Sequence, residues 1–447
     1  EAATEKAKEL IHVAVSRSAT LAPLDEKQIP VNERSLVVGG GVAGMTAALG
    51  LADQGYECVL VEKEAGLGGL ANRLHKTIDG TDVQAALQDL ILRVEEHPKV
   101  QLLTQTIITD FRGFKGNFTT EVLVGPEMTS RKIEHGVIIL ATGANEYQPR
   151  EFLYGRNDRV VTQLELTEQL EAKGAKALND VVMIQCVGSR NEEHPNCSRI
   201  CCQSAVKNAI HIKEENPEAN VYILYRDIRM YGLLEDYYTR ARSLGVLFFR
   251  YSLDDMPVVN DMENGVRVEF NDPILGRRLS VDCDCLALSA GMRATDTDDL
   301  ASVLKAPRSD DGHFLEAHVK LRPVEMSTEG MYVCGTAHSP RLLNETTAQA
   351  KAAASRATAL LSQPYLTLSA VTAEVDPDKC ASCLICVRSC PHSVPRINQD
   401  GVSEIDAALC HGCGICASEC PAKAIKLNWY EDTQIMSKID ALLEEVV

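Results

Sequence analysis

Positive charge is in short supply: 45 Lys and Arg stand against 63 Asp and Glu, a formal net charge of −18. Binding to phosphate backbones rewards a basic footprint, so a nucleic-acid surface is argued against. The acidic surplus suits a soluble protein that meets charged partners. No apolar run approaches the roughly 20 residues of a membrane-spanning helix. Gly136-Val-Ile-Ile-Leu140 has only the length of a strand. No signal peptide is expected, and no low-complexity tract is visible. The eleven histidines contain no His-x-x-His or His-Glu-x-x-His spacing, so they define no metal site of their own. An initiating Met is missing as well. The chain opens on Glu1, already inside a helical pattern (Leu10, Ile11, Ala14, Val15), as expected of a fragment or trimmed product with a further domain upstream.

Cysteine, in contrast, is abundant, and twelve of the sixteen fall into three groups. Cys380-x2-Cys383-x2-Cys386-x3-Cys390-Pro391 is followed by Cys410-x2-Cys413-x2-Cys416-x3-Cys420-Pro421. This is the run of a two-cluster bacterial ferredoxin, in which the fourth cysteine of each run ligates the other cluster. Three thiolates two residues apart wrap three corners of one cubane, and the distant fourth ties the two halves together. Cys380, Cys383, Cys386 and Cys420 are therefore assigned to one [4Fe–4S] cluster, and Cys410, Cys413, Cys416 and Cys390 to a second. A pair of zinc ribbons would need four ligands per site, but neither the repeated third cysteine nor the trailing proline. Cysteines in cluster spacing point to a reducing cytoplasm rather than a secreted disulfide framework. His411, inside the second run, reads as a hydrogen-bond tuner of potential and not as a ligand. The chain moves electrons.

A dinucleotide fold precedes that module. Ser35-Leu-Val-Val38 reads as a buried strand running into Gly39-Gly40-Gly41-Val42-Ala43-Gly44 and an alanine-rich helix, Met45 to Gln54. These glycines fall where the turn is tight, where backbone must approach a pyrophosphate, and where helix packs on strand. The helix N-terminus offers unpaired N–H groups to that anion. The next strand, Cys58-Val-Leu-Val61, ends in Glu62, where an acid accepts hydrogen bonds from a ribose with a free 2′-OH. That suits FAD or NAD rather than NADP. Glu62-x6-Gly69 continues like the second loop of flavin disulfide-reductase-type proteins, and Ile138-Ile-Leu-Ala-Thr-Gly143 resembles their strand ending in Ala-Thr-Gly. Gly330-Met-Tyr-Val-Cys-Gly-Thr336 resembles their second flavin motif, with Thr336 where an aspartate usually holds the ribityl chain. The helix Thr346 to Leu361 would aim its N-terminus at the isoalloxazine. The candidate FAD contacts are Gly39, Gly41, Gly44, Glu62, Lys63, Gly69, Asn72, Ala141, Thr142, Gly143, Gly335 and Thr336.

Between the two flavin segments, a pyridine-nucleotide reductase would carry a second GxGxxG. The strand Asp180-Val-Val-Met-Ile184 is there, but Gln185-Cys186-Val187-Gly188-Ser189-Arg190 follows it, with a single glycine. Tyr222-Ile-Leu-Tyr225 reads as the next strand of that unit, and Arg226 follows it. The architecture persists while the nicotinamide loop does not. In its place stands Cys186-x10-Cys197-x3-Cys201-Cys202. Four such thiolates suit a third [4Fe–4S] cluster; by spacing alone a redox disulfide or a zinc site fits as well. Cys58, Cys283, Cys285 and Cys334 sit in strand-like apolar contexts and read as buried structural thiols.

Together these features resemble the A subunit of heterodisulfide reductase, an electron-bifurcating flavoprotein of methanogens and many anaerobic bacteria. The likeness covers nearly the whole chain. It includes Val37-Val-Gly-Gly-Gly-Val-Ala-Gly44, Gly136-Val-Ile-Ile-Leu-Ala-Thr-Gly143, Val160-Val-Thr-Gln-Leu-Glu165, Cys186-Val-Gly-Ser-Arg-Asn191 and Tyr225-Arg-Asp-Ile-Arg229. The resemblance implies that Cys186, Cys197, Cys201 and Cys202 ligate a cluster close to the flavin. It also implies that Lys207 lies near flavin N5, where an ammonium would stabilise an anionic reduced flavin or control its protonation. Read without the family, Lys207 is a solvated helix lysine. The family carries an N-terminal domain ahead of the flavin unit. Its partners are subunits of the B and C type, a hydrogenase or formate/NADH dehydrogenase input module, and ferredoxin, so a hetero-oligomer is expected.

The expected fold is α/β: a thioredoxin-reductase-like Rossmann FAD domain with an inserted degenerate second Rossmann-like domain, then an α+β two-[4Fe–4S] ferredoxin domain. Expected boundaries are 1–30 for a helical lead segment, 31–150 and 286–362 for the two parts of the FAD domain, and 151–285 for the insertion. The ferredoxin domain spans 363–430, behind a linker from Ser362 to Pro377, and an amphipathic helix occupies 431–447. The expected function is FAD-based bifurcation, taking electron pairs from a donor and sending single electrons to a high-potential disulfide-type acceptor and to ferredoxin. Two rivals stand beside it: a non-bifurcating relay like those of quinone-interacting membrane-associated complexes, and an NAD(P)H-dependent disulfide reductase or glutamate-synthase-type β subunit. The missing second GxGxxG argues against the last.

Overall fold

A computed structural model describes residues 2–23, 28–263, 265–368 and 370–444. The ends of the expected lead segment and tail (1, 24–27 and 445–447) lie outside the described residues. Two compact units are formed, residues 32–362 and the two chain ends, 1–31 with 363–447.

In the larger unit, five parallel strands lie in the order Met331–Val333, Val137–Leu140, Ser35–Val38, Cys58–Val61, Val100–Leu103. Leu36, Val37, Leu60, Ile138, Ile139 and Leu140 expose no surface. Strands buried on both faces read as unbroken apolar runs, which makes the inner ones legible in the sequence; Val100–Leu103, at the sheet edge and half-exposed, is not. The helix Val42–Ala52 leaves the central strand and packs against Leu343–Leu361. Small residues make that approach close: a Cβ on Gly50 would stand 3.1 Å from that of Ala354. A three-stranded antiparallel meander, Thr106–Phe114, Asn117–Val124 and Thr129–His135, completes this half.

The inserted half repeats the plan. Five parallel strands run Val160–Thr162, Cys285–Ala290, Asp180–Val187, Asn220–Tyr225, Leu247–Arg250, accompanied by the meander Val258–Met262, Gly265–Asp272, Arg277–Cys283. The expected boundary after residue 285 needs correction. Cys285–Ala290 is buried at all six positions and pairs with strands on both sides, so it belongs to the inserted sheet. The two chain crossings between the halves form an antiparallel ribbon, Ala144–Glu146 with Met292–Ala294. The flavin helix also starts earlier than expected, at Leu343.

In the smaller unit the helix Ala2–Ser18 packs on Asp432–Leu443, so lead segment and tail are one substructure and not two independent ends. Arg17 donates to the Trp429 carbonyl at 2.7 Å and covers the Tyr430 ring at 5.1 Å. The apolar stripe Leu10, Ile11, Val15 stays exposed. The expected linker is partly strand: Tyr365–Thr367 pairs with Gln28–Pro30, and Ala373–Val375 with Ile425–Leu427. Two short helices, Ile385–Ser389 and Ile415–Glu419, carry the middle of the cysteine runs over a small core of Ala373, Cys386, Cys416 and Ile425. Among the described residues no helix is long and apolar enough to cross a membrane.

Candidate functional site

The glycine loop after Val38 is shaped by its neighbours. Gly39 has φ +111, and a Cβ there would lie 2.3 Å from the Ala141 carbonyl oxygen. A Cβ on Gly44 would fall 1.8 Å from the Gly39 oxygen, so helix and turn touch without a side chain between them. Gly41, by contrast, opens on empty space and precedes the helix with no side-chain cap. That leaves first-turn N–H groups and an open approach for an anion. Glu62 closes the far side: its carboxylate accepts from Gly40 N at 2.5 Å and Glu64 N at 2.8 Å. A carboxylate has about four lone-pair sites, so capacity for ribose hydroxyls remains. The second loop lies against the first, with Gly68 N donating to Gly40 O at 2.9 Å and Gly69 beside Gly41. Asn72 fixes that loop by donating to Leu67 O at 3.1 Å. Lys63 is exposed and pairs instead with Glu64 at 3.8 Å.

The other flavin motifs converge on the same edge. The Cβ position of Gly143 lies 4.0 Å from the hydroxyls of both Thr295 and Thr336, and Thr142 beside it is half-buried. Gly335 packs on Ala43 at the start of the glycine-loop helix, where a Cβ would come within 2.6 Å. The Thr336 carbonyl accepts from His313 Nδ1 at 2.9 Å. An open cradle at Gly41, a carboxylate beside it and a hydroxyl at Thr336 fit FAD.

Where a reductase would hold nicotinamide, the backbone is strained. The strand Asp180–Val187 shifts register between Ile184 and Val187, and Cys186 has φ 61. Arg190 and Arg199 have φ 58 and 61. Left-handed conformations in non-glycine residues cost about 1–2 kcal/mol each and persist only where surroundings enforce them. Arginines do so here. Buried Arg226 donates to the carbonyls of Ser189 and Arg190 at 2.7 and 2.6 Å. In NADP enzymes an arginine near this strand end accommodates a phosphate; this one is turned inward onto the loop. Arg293 covers the Tyr147 ring at 4.6 Å and donates to Gly188 O.

Cys201 and Cys202 open the helix Cys201–Glu215. Burial, then Cys202, Cys186 and Cys197, push the Cys201 thiol well above its ordinary range. Burial foremost, with Cys186 and Cys197 adding to it, lifts Cys202 to about 11. Cationic metal would supply the missing countercharge and deprotonate such ligands. Among the described residues no cysteine is joined in a disulfide. Among the described residues no group of three or more His, Cys, Asp or Glu is gathered as a single metal ion requires. Zinc thiolates lie about 3.8 Å apart, closer than a cubane holds its ligands. Cys58, Cys283, Cys285 and Cys334 are buried, with thiols raised to about 12 by desolvation.

Lys207 lies about one and a half helix turns beyond the double cysteine. Its ammonium donates to Lys76 O at 3.3 Å and approaches Thr167 Oγ1 at 3.5 Å. Burial lowers it to about 8, and Glu171 opposes that shift.

In the smaller unit, Cys380, Cys383, Cys386 and Cys420 line one cavity, and Cys390, Cys410, Cys413 and Cys416 another. The fourth cysteine of each run thus lies with the other run's three. His392 and His411 line the second cavity and stack at 3.8 Å.

Paired Rossmann halves, a dinucleotide cradle and a double cluster cage define a flavin disulfide-reductase-type oxidoreductase with an iron–sulfur module. Matches to known proteins agree. Residues 33–185 match the pyridine nucleotide-disulphide oxidoreductase family, and 372–395 and 403–426 match 4Fe-4S binding domains. The first match stops one residue before Cys186. Thioredoxin reductase of Lactococcus lactis superposes with a TM-score of 0.51 at 17% identity, over 74% of this chain and 99% of that one. An iron–sulfur A subunit of CoB–CoM heterodisulfide reductase from Methanopyrus kandleri is 34% identical, over 100% of this chain and 82% of the relative. The A subunit of H2:CoB–CoM heterodisulfide,ferredoxin reductase from Methanothermobacter marburgensis is 32% identical, over 100% and 81%. The chain belongs to the family of heterodisulfide reductase A subunits.

Sequence reasoning did not single out the arginines that brace the four-thiol loop. Their anchoring partners are distant: Asp227 lies 37 residues from Arg190, the Gly188 carbonyl 105 from Arg293 and Glu345 146 from Arg199.

Proposed function

We propose that this chain is the flavin and iron–sulfur subunit of a cytoplasmic heterodisulfide-reductase-like complex. It takes electron pairs from a hydrogenase or dehydrogenase module and parts them between a disulfide-type acceptor on B- and C-type subunits and ferredoxin. The observation that supports this reading is that Cys186 lies at the register-shifted end of the inserted strand and Cys201 and Cys202 open the helix that follows, with Cys186 and Cys197 among the groups that raise the Cys201 and Cys202 thiols. FAD, when bound, exchanges electrons in pairs or singly, and [4Fe–4S] clusters exchange them singly. The chain's own residues provide the rest. Gly39, Gly41 and Gly44 shape the pyrophosphate cradle and Glu62 receives the ribose. Ala141, Thr142, Gly143, Gly335 and Thr336 line the flavin edge, and Cys186, Cys197, Cys201 and Cys202 hold a third cluster. Lys207, whose ammonium burial lowers to about 8, holds or releases a proton at working pH.

The test is composition, then potentials. Anaerobically purified protein should hold one FAD and about twelve irons in three four-iron clusters. About eight irons would remove the four-thiol site from the scheme. Crossed one-electron flavin potentials are expected of bifurcation; ordered ones would reduce the chain to a relay.

A further inference from the structure

The candidate cluster sulfurs differ in what donates to them. In the smaller unit the donors are backbone N–H groups and a hydroxyl. Ala373 and Gly412 donate to Cys410 at 3.4 and 3.5 Å, Ser403 N to Cys380 at 3.4 Å, and Ala424 N to Cys420 at 3.3 Å, while Ser403 Oγ meets Cys386 at 3.3 Å. Cys197 accepts from Arg199 N at 3.3 Å. Cys186 alone receives a formal charge, Arg190 Nη1 at 3.8 Å. Among the described residues no other charged side chain donates to one of these sulfurs.

That guanidinium is held in place. Asp227 accepts Arg190 Nη2 at 2.6 Å and is shared with Arg250 at 3.6 Å. The Arg190 carbonyl is bound by buried Arg226, which keeps the strained φ of 58 in position.

We infer that Arg190 sets the reduction potential of the cluster proposed at Cys186, Cys197, Cys201 and Cys202, an inference that rests on that reading of the four thiols. Each electron added to a thiolate-bound cluster adds one negative charge. A cation hydrogen-bonded to a ligand sulfur stabilises the reduced cluster more than the oxidised one, and more strongly where water is excluded. Arg190 therefore raises the potential, and Asp227 beside it acts in the opposite sense. The ion pair is a two-sided setting device.

Redox titration of the holoprotein monitored by electron paramagnetic resonance tests this in R190Q, R190K and D227N. In R190Q the midpoint of one cluster should fall, with about a tenfold drop in its reduced-to-oxidised ratio at fixed potential, or about 59 mV for a one-electron couple. R190K should stay near the wild type and D227N should move upward, while the other two clusters hold their values. Opposite signs at neighbouring positions are not produced by simple damage to the fold. If Arg190→Gln does not assemble, the upward shift in D227N against R190K carries the same test. Unmoved potentials, or shifts of one sign, overturn the inference. About eight irons in the wild type overturn it together with the parent reading, whereas about twelve irons with unmoved potentials overturn Arg190's part alone.

Discussion

Arg199 donates to Glu345 at 2.6 Å, joining the loop between Cys197 and Cys201 to the start of the helix Leu343–Leu361. Glu345 also accepts from Leu342 N at 3.1 Å, and Arg199 reaches the Pro340 carbonyl at 3.4 Å. One half-buried ion pair thus couples the four-thiol loop to the helix that follows the second flavin motif. Its loss in R199A should cost about 1–2 kcal/mol, seen as a lower Tm of the holoprotein. Faster release of about four of its irons on mild oxidation should accompany it. An unchanged Tm and iron content would show that the pair is ornamental.

The crossed cavities make a prediction about cluster ownership. Cys420 lines the space formed by Cys380, Cys383 and Cys386, so C420S should lose or alter that cluster. The signals of the Cys410–Cys416 run should remain, and iron should fall by about four. Iron assay with electron paramagnetic resonance reads both. Loss of the cluster of its own run would refute the crossed arrangement.

The glycine cradle tolerates no side chain at its tightest point. In G44V the added carbon meets the Gly39 oxygen, where even a Cβ would lie at 1.8 Å. Strain of about 1–3 kcal/mol or more is expected, with loss of most bound flavin. The flavin-to-protein absorbance ratio is the measurement, and a normal ratio would contradict the placement of FAD here.

Glu146, on the ribbon between the two halves, is raised by burial from 4.5 to about 7, although Thr162 donates to it at 2.9 Å. Between those values the folded state keeps a proton that the unfolded chain has released. Stability from this group is therefore full below about pH 4.5 and is lost as pH rises toward 7. E146Q should flatten that decline in urea unfolding followed from pH 5 to 7.5.

Lys207 runs the other way. Burial lowers it from 10.5 to about 8, so between those values the unfolded chain binds the extra proton and stability climbs with pH. K207M should abolish the climb. It should also keep FAD and iron while slowing flavin reduction by a factor of about 10²–10⁴, the usual worth of a positioned acid or base. Unchanged turnover across pH 7 to 9 would leave Lys207 a structural lysine.

Short-range chemistry was settled by the chain alone. Cysteine spacing specified two cluster runs, because three ligands of one cubane sit within seven residues of each other, from Cys380 to Cys386 and from Cys410 to Cys416. Gly39 to Gly44 specified a dinucleotide turn, because strand, turn and helix are contiguous. Other features needed the folded chain. The two halves share one plan of five parallel strands and a meander, yet no repeat shows in the sequence, since sheet geometry constrains hydrophobicity and not identity. Cys285–Ala290 joined the inserted sheet because its partners are distant strands. The pairing of Ala2–Ser18 with Asp432–Leu443, and Arg226 and Arg293 converging on the carbonyls of Ser189, Arg190 and Gly188, arise the same way. Such contacts close loops of tens to hundreds of residues, and only the packed fold decides which of many equivalent arginines arrives.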